Sequence, residues 1–407
     1  MPRNVWLEST SSAFRLLITT SWLATEPFRQ QQEERIRSVI SYGVDWGEYL
    51  GLVDRHRTPS LSWAALNRVA GIQIPKYPER ELKKRSDDCR LSSMKLCLIM
   101  AEVIKRFNQE YIQVMPFKGP ILSHELYGDV GLRQFTDLDL AVAAGDLDRA
   151  RVCLESMGWI LDRETWFSLT PRQWQSFLVH EHHLDFIHPV TGALLELHWR
   201  NDWESPQNTD ARWVRSIPVN WQGCSILTMR PGDLLIYLAN HGTYHAWYRA
   251  KWLSDVARLH ALGSINWLEV QETARSSGYE RVLYSTLWIL ELLYGLPRPK
   301  DIDGASVDQS STLAKMPFLA LLDPKSPGTR SIPSRLWYRL RMNGYERKLR
   351  PNRSFSQNLS HLFYCREDFR VLPISDSIFW VYRPMRLFLW AWRWVCHLRK
   401  QHPGWRA

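Results

Sequence analysis

The chain has 407 residues, a formal net charge of +10, and 45% hydrophobic against 23% charged residues. That balance excludes a disordered chain, allows two or three domains, and suits an anionic partner: nucleotide, nucleic acid or an anionic membrane. The six cysteines, at 89, 97, 153, 224, 365 and 396, form no Cys-x-x-Cys pair, which points away from a structural zinc site or a disulfide framework and toward reduced thiols in a cytoplasmic protein. The apolar run Leu16 to Ala24 lacks a small-residue cleavage pattern, so no signal peptide is expected. No run of about eighteen uncharged apolar residues occurs, so no transmembrane helix is expected either.

Residues 1–110 read as an N-terminal helical region. Glu34 to Tyr42 and Trp46 to His56 carry apolar residues at three-to-four spacing. A charged, Pro-containing interval, Ile74 to Asp88, is expected to link to a helix from Leu91 to Phe107. Its stripe would be Met94, Leu98, Ala101 and Ile104.

Gln113 to Phe117 reads as the first strand of a core spanning 111–204. Lys118-Gly119 follows, then a helical piece from Ile121 to Tyr127, then a loop with Gly128, Gly131 and Arg133. Asp137 to Val142 reads as a strand. Side chains alternate along a strand, so Asp137 and Asp139 share one face while Leu138 and Leu140 take the other. Two adjacent carboxylates repel unless a cation lies between them. Hard cations such as Mg²⁺ take carboxylate and phosphate oxygens together. A glycine at the preceding strand-to-helix turn can bring backbone N–H groups to phosphate. Asp146 opens another helix with Leu147, Ala150, Leu154 and Met157 inward, stopped at Gly158. His182 to His188 and Ala193 to Trp199 flank a Pro189-Val190-Thr191-Gly192 turn and predict a hairpin. On it, Asp185 shares a face with His183, and Glu196 shares a face with His198. A zinc reading of these histidines is weakened because strand alternation would send adjacent His182 and His183 to opposite faces.

Residues 205–304 read as helical again: one long pattern from Leu234 to Leu262, then Trp267 to Ser277 and Arg281 to Tyr294. Lys251 and Asp255 stand one helical turn apart, as do His241 and His245. In 305–407, the first part of Ser306 to Gly328 reads as a loop. Ile378 to Lys400 mixes Trp380, Trp390, Trp392 and Trp394 with Arg383, Arg386, Arg393 and Arg399. That mixture fits an interfacial membrane helix, nucleic-acid stacking or packing on the helical region. Packing is the expectation, with the tryptophans buried and Pro384 starting or kinking the helix.

Lys118, Gly119, Tyr127, Arg133, Asp137 and Asp139, in this order, resemble the pattern of a bacterial uncharacterised nucleotidyltransferase family within the polymerase-beta-type nucleotidyltransferase superfamily. The run Glu196-Leu197-His198-Trp199, the pair His182-His183, the block His241 to Asp255 and the stretch Asp45 to Arg57 extend the resemblance over residues 10 to 260. One departure is Gly119-Pro120, where the superfamily carries Gly-Ser. The resemblance implies an α+β fold, a small mixed-sheet nucleotidyltransferase core with N-terminal and C-terminal helical regions. The helical domain at 205–304 would close on the nucleotide. It implies transfer of an NMP from an NTP, with Mg²⁺ or Mn²⁺, to an acceptor that is a small molecule, peptide, protein or RNA end. Asp137 and Asp139 would hold metal, and Glu196, ahead of Asp185, would be the third carboxylate. Lys118, Gly119, Arg133 and Lys251 would meet the nucleotide, with Asp255 holding Lys251. His183, His198 and His245 would orient carboxylates or the acceptor. The competing expectation is a non-catalytic protein that keeps the fold and binds nucleotide, RNA or an anionic membrane surface.

Overall fold

A computed structural model describes residues 5–161, 169–200, 206–300, 302, 307–323, 344–345, 348–349 and 366–401. The fold is α+β. A five-stranded mixed sheet runs in the order β1-β2-β5-β4-β3. Its strands are β1 (Val114–Pro116), β2 (Asp137–Val142), β3 (Ile160–Leu161), β4 (His183–Ile187) and β5 (Leu194–His198). β2 and β5 are parallel and the other pairings are antiparallel. The predicted hairpin is β4–β5. Alternation decides the two faces: Leu138, Leu140, Leu184, Phe186, Leu195 and Leu197 are buried on one side. That side packs on α6 (Lys76–Gln109), through Met100, Val103, Ile104 and Phe107, and on α8 (Leu147–Ser156), through Leu147, Ala150 and Leu154. The opposite side of β2, β4 and β5 is left to the polar residues. A separate hairpin, β6 (Ile217–Trp221) with β7 (Cys224–Thr228), lies beyond β5 in the chain.

The helices before and after the sheet share one core. α2 (Ser12–Thr20), α4 (Trp46–His56) and α5 (Pro59–Asn67) pack in the same cluster as α11 (Pro231–Tyr244), α12 (Ala250–Ala261), α13 (Trp267–Ser276), α14 (Glu280–Tyr294) and α15 (Val307–Leu322). Buried polar groups tie the two sets together. The Tyr294 hydroxyl lies 3.2 Å from Ser21 Oγ and 3.3 Å from Ser254 Oγ. The Ala250 N–H donates to His56 Nδ1 at 3.0 Å. Each bond supplies a partner that burial would otherwise remove.

The element pattern departs from the sequence reading in five places. Ile74 to Asp88 is not a linker, because α6 is a single helix from Lys76. Pro78 falls in its first turn, where an N–H has no intrahelical acceptor. The buried stripe of α6 runs through Leu96, Cys97, Met100, Val103, Ile104 and Phe107, while Met94 and Leu98 are 55% and 69% exposed. The helix carries two apolar stripes and the sheet takes one of them. The loop expected from Ser306 is the helix α15 over 307–322, with Leu313, Ala314, Phe318 and Leu321 buried. Burial against α14 outweighs a loop-like composition. The long pattern 234–262 is broken into α11 and α12, since Ala246 and Trp247 take left-handed backbone angles (φ 53° and 56°). Trp247 folds back on Gly242, where any Cβ would lie 2.1 Å from the indole ring.

The fifth departure is the tail. α16 (Arg366–Val371) and a 3₁₀ turn (Asp376–Val381) support α17 (Tyr382–Gln401), with Pro384 in its first turn. Phe369, Tyr382 and Leu389 form a small core of their own. The Gln173 amide of α9 (Pro171–His180) donates to the Tyr382 hydroxyl at 3.0 Å, and Arg386 pairs with Asp368 at 2.8 Å. Trp380, Trp390 and Trp392 are not buried; they are 65%, 57% and 56% exposed, beside exposed Leu387 and Phe388. The side chain of Trp394 lies outside the described residues.

Candidate active site

The polar face of the sheet floors a cleft of about 400 Å³. Register builds its centre. Asp139, Glu196 and Asp185 stand side by side on β2, β5 and β4, and His198 pairs with His183 in the adjoining row. Asp137 lies two residues before Asp139 on the same face and lines the cleft, as Asp139, His183, Glu196 and His198 do. Asp185 stands beside it, with His183 Nε2 at 3.1 Å. Lys118 and Gly119 enter from the turn before α7 (Gly119–Tyr127), where Gly119 takes φ +58°.

The charges are arranged as a ladder. The Lys118 ammonium donates to Asp139 Oδ1 at 2.9 Å. His198 Nε2 lies 3.1 Å from Glu196 Oε2 and 3.5 Å from Asp139 Oδ1. Burial would raise the Asp139 carboxyl, but Lys118 and His198 outweigh it and hold it well below the usual carboxylate range. Burial likewise opposes His198, yet its bonds to Asp139 and Glu196 push it up to about 9. Burial would raise Glu196, and the His198 bond more than offsets this, so Glu196 stays ionised. Asp137 is different. Burial, then the neighbouring charges of Asp139 and Glu196, push its carboxyl up. Lys118 and Lys251 offset this only in part.

The opposite wall comes from α11, the break after it and α12: Tyr237, His241, His245, Tyr248, Arg249, Lys251 and Trp252. Burial, then the charges of Arg133 and Arg57, push Lys251 down to about 7. Its ammonium donates to the Gln134 carbonyl at 3.2 Å. The pairing expected between Lys251 and Asp255 is not the one formed. Arg133 Nε lies 2.9 Å from both Asp255 oxygens, with both side chains buried. The buried guanidinium reaches across from the loop before β2, so Asp255 serves Arg133. His245 ends α11 and stacks on Trp252 at 4.8 Å, on the wall facing the carboxylates. His182 and His183 do not part to opposite faces. β4 begins at His183, so alternation does not bind residue 182, and His183 Nδ1 lies 2.7 Å from His182 Nε2.

Arg57 closes the cleft from a third side. It caps α4 in a left-handed conformation (φ 57°) and donates to Thr136 Oγ at 3.3 Å. Sequence reasoning passed over Arg57, Arg249, Tyr237 and Trp252 as cleft residues, and set His182 aside on strand alternation. Arg57 ends the Asp45 to Arg57 stretch, and Arg249 and Trp252 flank Lys251, so adjacency to recognised blocks was the available signal.

A sequence model described as an uncharacterised nucleotidyltransferase matches residues 42–295. That is more than half of the chain and contains every cleft residue named above. The chain belongs to the uncharacterised nucleotidyltransferase family. No curated protein and no solved structure gives a match. The family makes the protein a nucleotidyltransferase, and its α+β core with helical flanks is the fold described here. Among the described residues, no helix is long and apolar enough to cross a membrane. The donor set fits the divalent ion that nucleotidyltransferases generally use. Asp139, Glu196 and His198 offer ligand atoms within 4.8 Å of one another, and burial, Asp139 and Glu196 keep the Asp137 carboxyl beside them raised despite the charges of Lys118 and Lys251.

Proposed function

We propose that the protein transfers an NMP from an NTP to a hydroxyl, carboxyl, phosphate or RNA-end acceptor in a reaction dependent on Mg²⁺ or Mn²⁺. The observation that carries this reading is the convergence of Asp137, Asp139 and Glu196 on one sheet face, opposite Lys251, Arg57 and Arg249. Asp137 and Asp139 would hold the ion, with Glu196 completing the set. The bound ion would neutralise phosphate oxygens and favour the ionised acceptor. Lys251, Arg57 and Arg249 line the side where a triphosphate's negative charge would lie. Gly119 and the start of α7 offer backbone N–H groups there. Arg133, committed to Asp255, and Lys118, committed to Asp139, act by holding the site rather than as free phosphate ligands. The acceptor oxygen attacks the α-phosphorus, its proton passes to Glu196, and the bond to the β-phosphate oxygen breaks to release pyrophosphate. His198 orients Glu196 and Asp139 through its Nε2 position.

A non-catalytic nucleotide binder would have little use for Asp137, whose ionised form burial and its neighbours disfavour. Incubation of purified protein with each α-labelled NTP, Mg²⁺ or Mn²⁺ and cell extract tests the reading. Label retained on an acceptor, with matching pyrophosphate release, supports it. Pyrophosphate release that is unchanged in the Asp137→Asn, Asp139→Asn double variant refutes it.

We also propose that α17 meets an anionic lipid surface. Leu387, Phe388, Trp390 and Trp392 are exposed on it, and its twenty residues include Arg383, Arg386, Arg393, Arg399 and Lys400 and no acidic residue. Exposed Trp beside Arg suits the headgroup region, and the charge complements anionic lipid.

A further inference from the structure

We propose that His56 is a positioning residue for a bound polyphosphate: by accepting the Ala250 N–H it holds the start of α12, and Arg249 with it, against the end of α4 that carries Arg57. That the polyphosphate belongs to a nucleotide rests on the nucleotidyltransferase reading; the bond does not. His56 is the last residue of α4 and fully buried, and its Nδ1 meets the Ala250 N–H at 3.0 Å across 194 residues of chain.

The start of a helix leaves N–H groups without intrahelical acceptors, and a Ser, Thr, Asp or Asn at the cap commonly takes one of them. α12 has Arg249 at its cap, and the Arg249 side chain makes no such bond. The acceptor comes from α4 instead. Burial, then the charges of Arg55 and Arg249, push the His56 pKa down to about 3. The ring is therefore neutral, and one nitrogen keeps the lone pair that the Ala250 N–H needs.

The two residues next to this bond both line the cleft. Arg57 follows His56 directly and takes φ 57°, a conformation that favours glycine. Its guanidinium reaches the Thr136 hydroxyl at 3.3 Å, one residue before Asp137. Arg249 precedes Ala250 and lies over two rings, 5.1 Å from the centre of Tyr248 and 5.8 Å from that of Trp252. The end of α4 thus clasps both walls, through His56 to the roof and through Arg57 to the loop before β2. Burial lowers the Arg249 pKa and Arg57 lowers it further, while Tyr248 and Asp137 offset this only in part. The clasp holds like charges together against their repulsion. An anion of several charges turns that repulsion into attraction, and cations already gathered need no rearrangement when it binds.

The test titrates the Mg²⁺ complex of inorganic tripolyphosphate, the part common to every NTP, into the full chain by calorimetry. His56→Phe fills the same space without an acceptor and should weaken binding by about tenfold or more, the lower end of what a hydrogen bond to a charged group supplies. His56→Asn, whose Oδ1 can stand where Nδ1 does, should restore most of it. In an Arg249→Met background His56→Phe should cost little more, because both changes remove the same contact. A thermal melt of each variant separates loss of the fold from loss of the site. If His56→Phe does not fold, His56→Gln takes its place, since its amide reaches past the Nδ1 position and should bind more weakly than His56→Asn. Wild-type affinity in His56→Phe or His56→Gln, whatever the melting temperature, overturns the proposal, as does an undiminished loss in the Arg249→Met background. Absence of tripolyphosphate binding by the wild type also overturns it, while labelling of an acceptor would still support transfer. Tripolyphosphate held through His56 by a chain that labels no acceptor would leave the role of His56 standing and sink the transfer reading.

Discussion

Arg133 and Asp255 form a buried ion pair across 122 residues of chain, with the guanidinium Nε 2.9 Å from each carboxylate oxygen. It joins the loop that delivers Asp137 to the helix that delivers Lys251. Burial opposes charge on Arg133, but Asp255 outweighs it and raises its pKa. Removing one partner would strand the other in the core. Asp255→Ala is expected to cost about 3–5 kcal/mol, the usual scale for breaking a buried pair. Denaturant unfolding measures it. A loss below about 1 kcal/mol, the range of an exposed pair, would show that the pair does not hold the cleft together.

Asp137 and Asp139 are predicted to differ in their effect on the metal-free fold. Asp139 compensates Lys118 and His198, so Asp139→Asn leaves mostly buried positive charge and lowers the melting temperature. Asp137 is repelled by its neighbours, so Asp137→Asn leaves the melting temperature equal or higher. The double variant is expected to stay folded and lose transfer. Equal destabilisation by the two single changes would contradict the charge ladder.

Glu196→Gln should lower turnover by about a hundredfold or more, the scale of a lost general base. Asp185→Asn should lower it less, because Asp185 stands one strand further from β2. Steady-state rates of pyrophosphate release give the ranking. The reverse order would move the proton-accepting role to β4.

Lys251 supplies a pH test. Its pKa is pushed down to about 7 from an ordinary 10.5, first by burial and then by Arg133 and Arg57. Between these values the unfolded chain holds a proton that the folded chain lacks, so this residue's contribution to stability rises with pH across that window. A triphosphate beside Lys251 would restore its charge. Nucleotide binding near pH 8 is therefore expected to take up a proton, seen as a buffer-dependent enthalpy in calorimetry. Lys251→Met should remove that dependence; uptake unchanged by the substitution would place the triphosphate elsewhere.

The tail is expected to bind lipid without supporting the main fold. Wild-type protein should sediment with vesicles containing phosphatidylglycerol, less so at high salt, and not with phosphatidylcholine alone. Leu387→Ser with Trp390→Ser should abolish sedimentation at an unchanged melting temperature. A lowered melting temperature, self-association through the helix, or RNA binding in place of lipid would each refute the assignment.

The sequence made the sheet legible because its signals were local. Asp137 to Val142 alternates cleanly, and the Pro189 to Gly192 turn fixes the hairpin register that sets Glu196 opposite Asp185. The pairing of Asp255 with Arg133 was hidden because helical spacing offered Lys251 as a nearer partner. His182 was misjudged by one residue at a strand end, where alternation starts. The break between α11 and α12 carried no proline, and depends on Trp247 finding a slot that only Gly242 leaves open. The exposed tail tryptophans were misplaced because residue type alone does not say which side of a helix finds a neighbour.

The shared core of the early and late helices has a consequence for synthesis. A ribosome emits α2, α4 and α5 long before α11 to α14, with the whole sheet segment between them. α2, α4 and α5 can pack on one another and on α6 at once, but the faces that meet the late helices must wait until residues near Tyr294 have left the exit tunnel. The sheet, whose strands and covering helices fall within residues 76–198, can assemble meanwhile. The nascent chain would then pass through a stage with a finished floor and an open roof. During that interval a chaperone would find its substrate in the first seventy residues rather than in the catalytic strands.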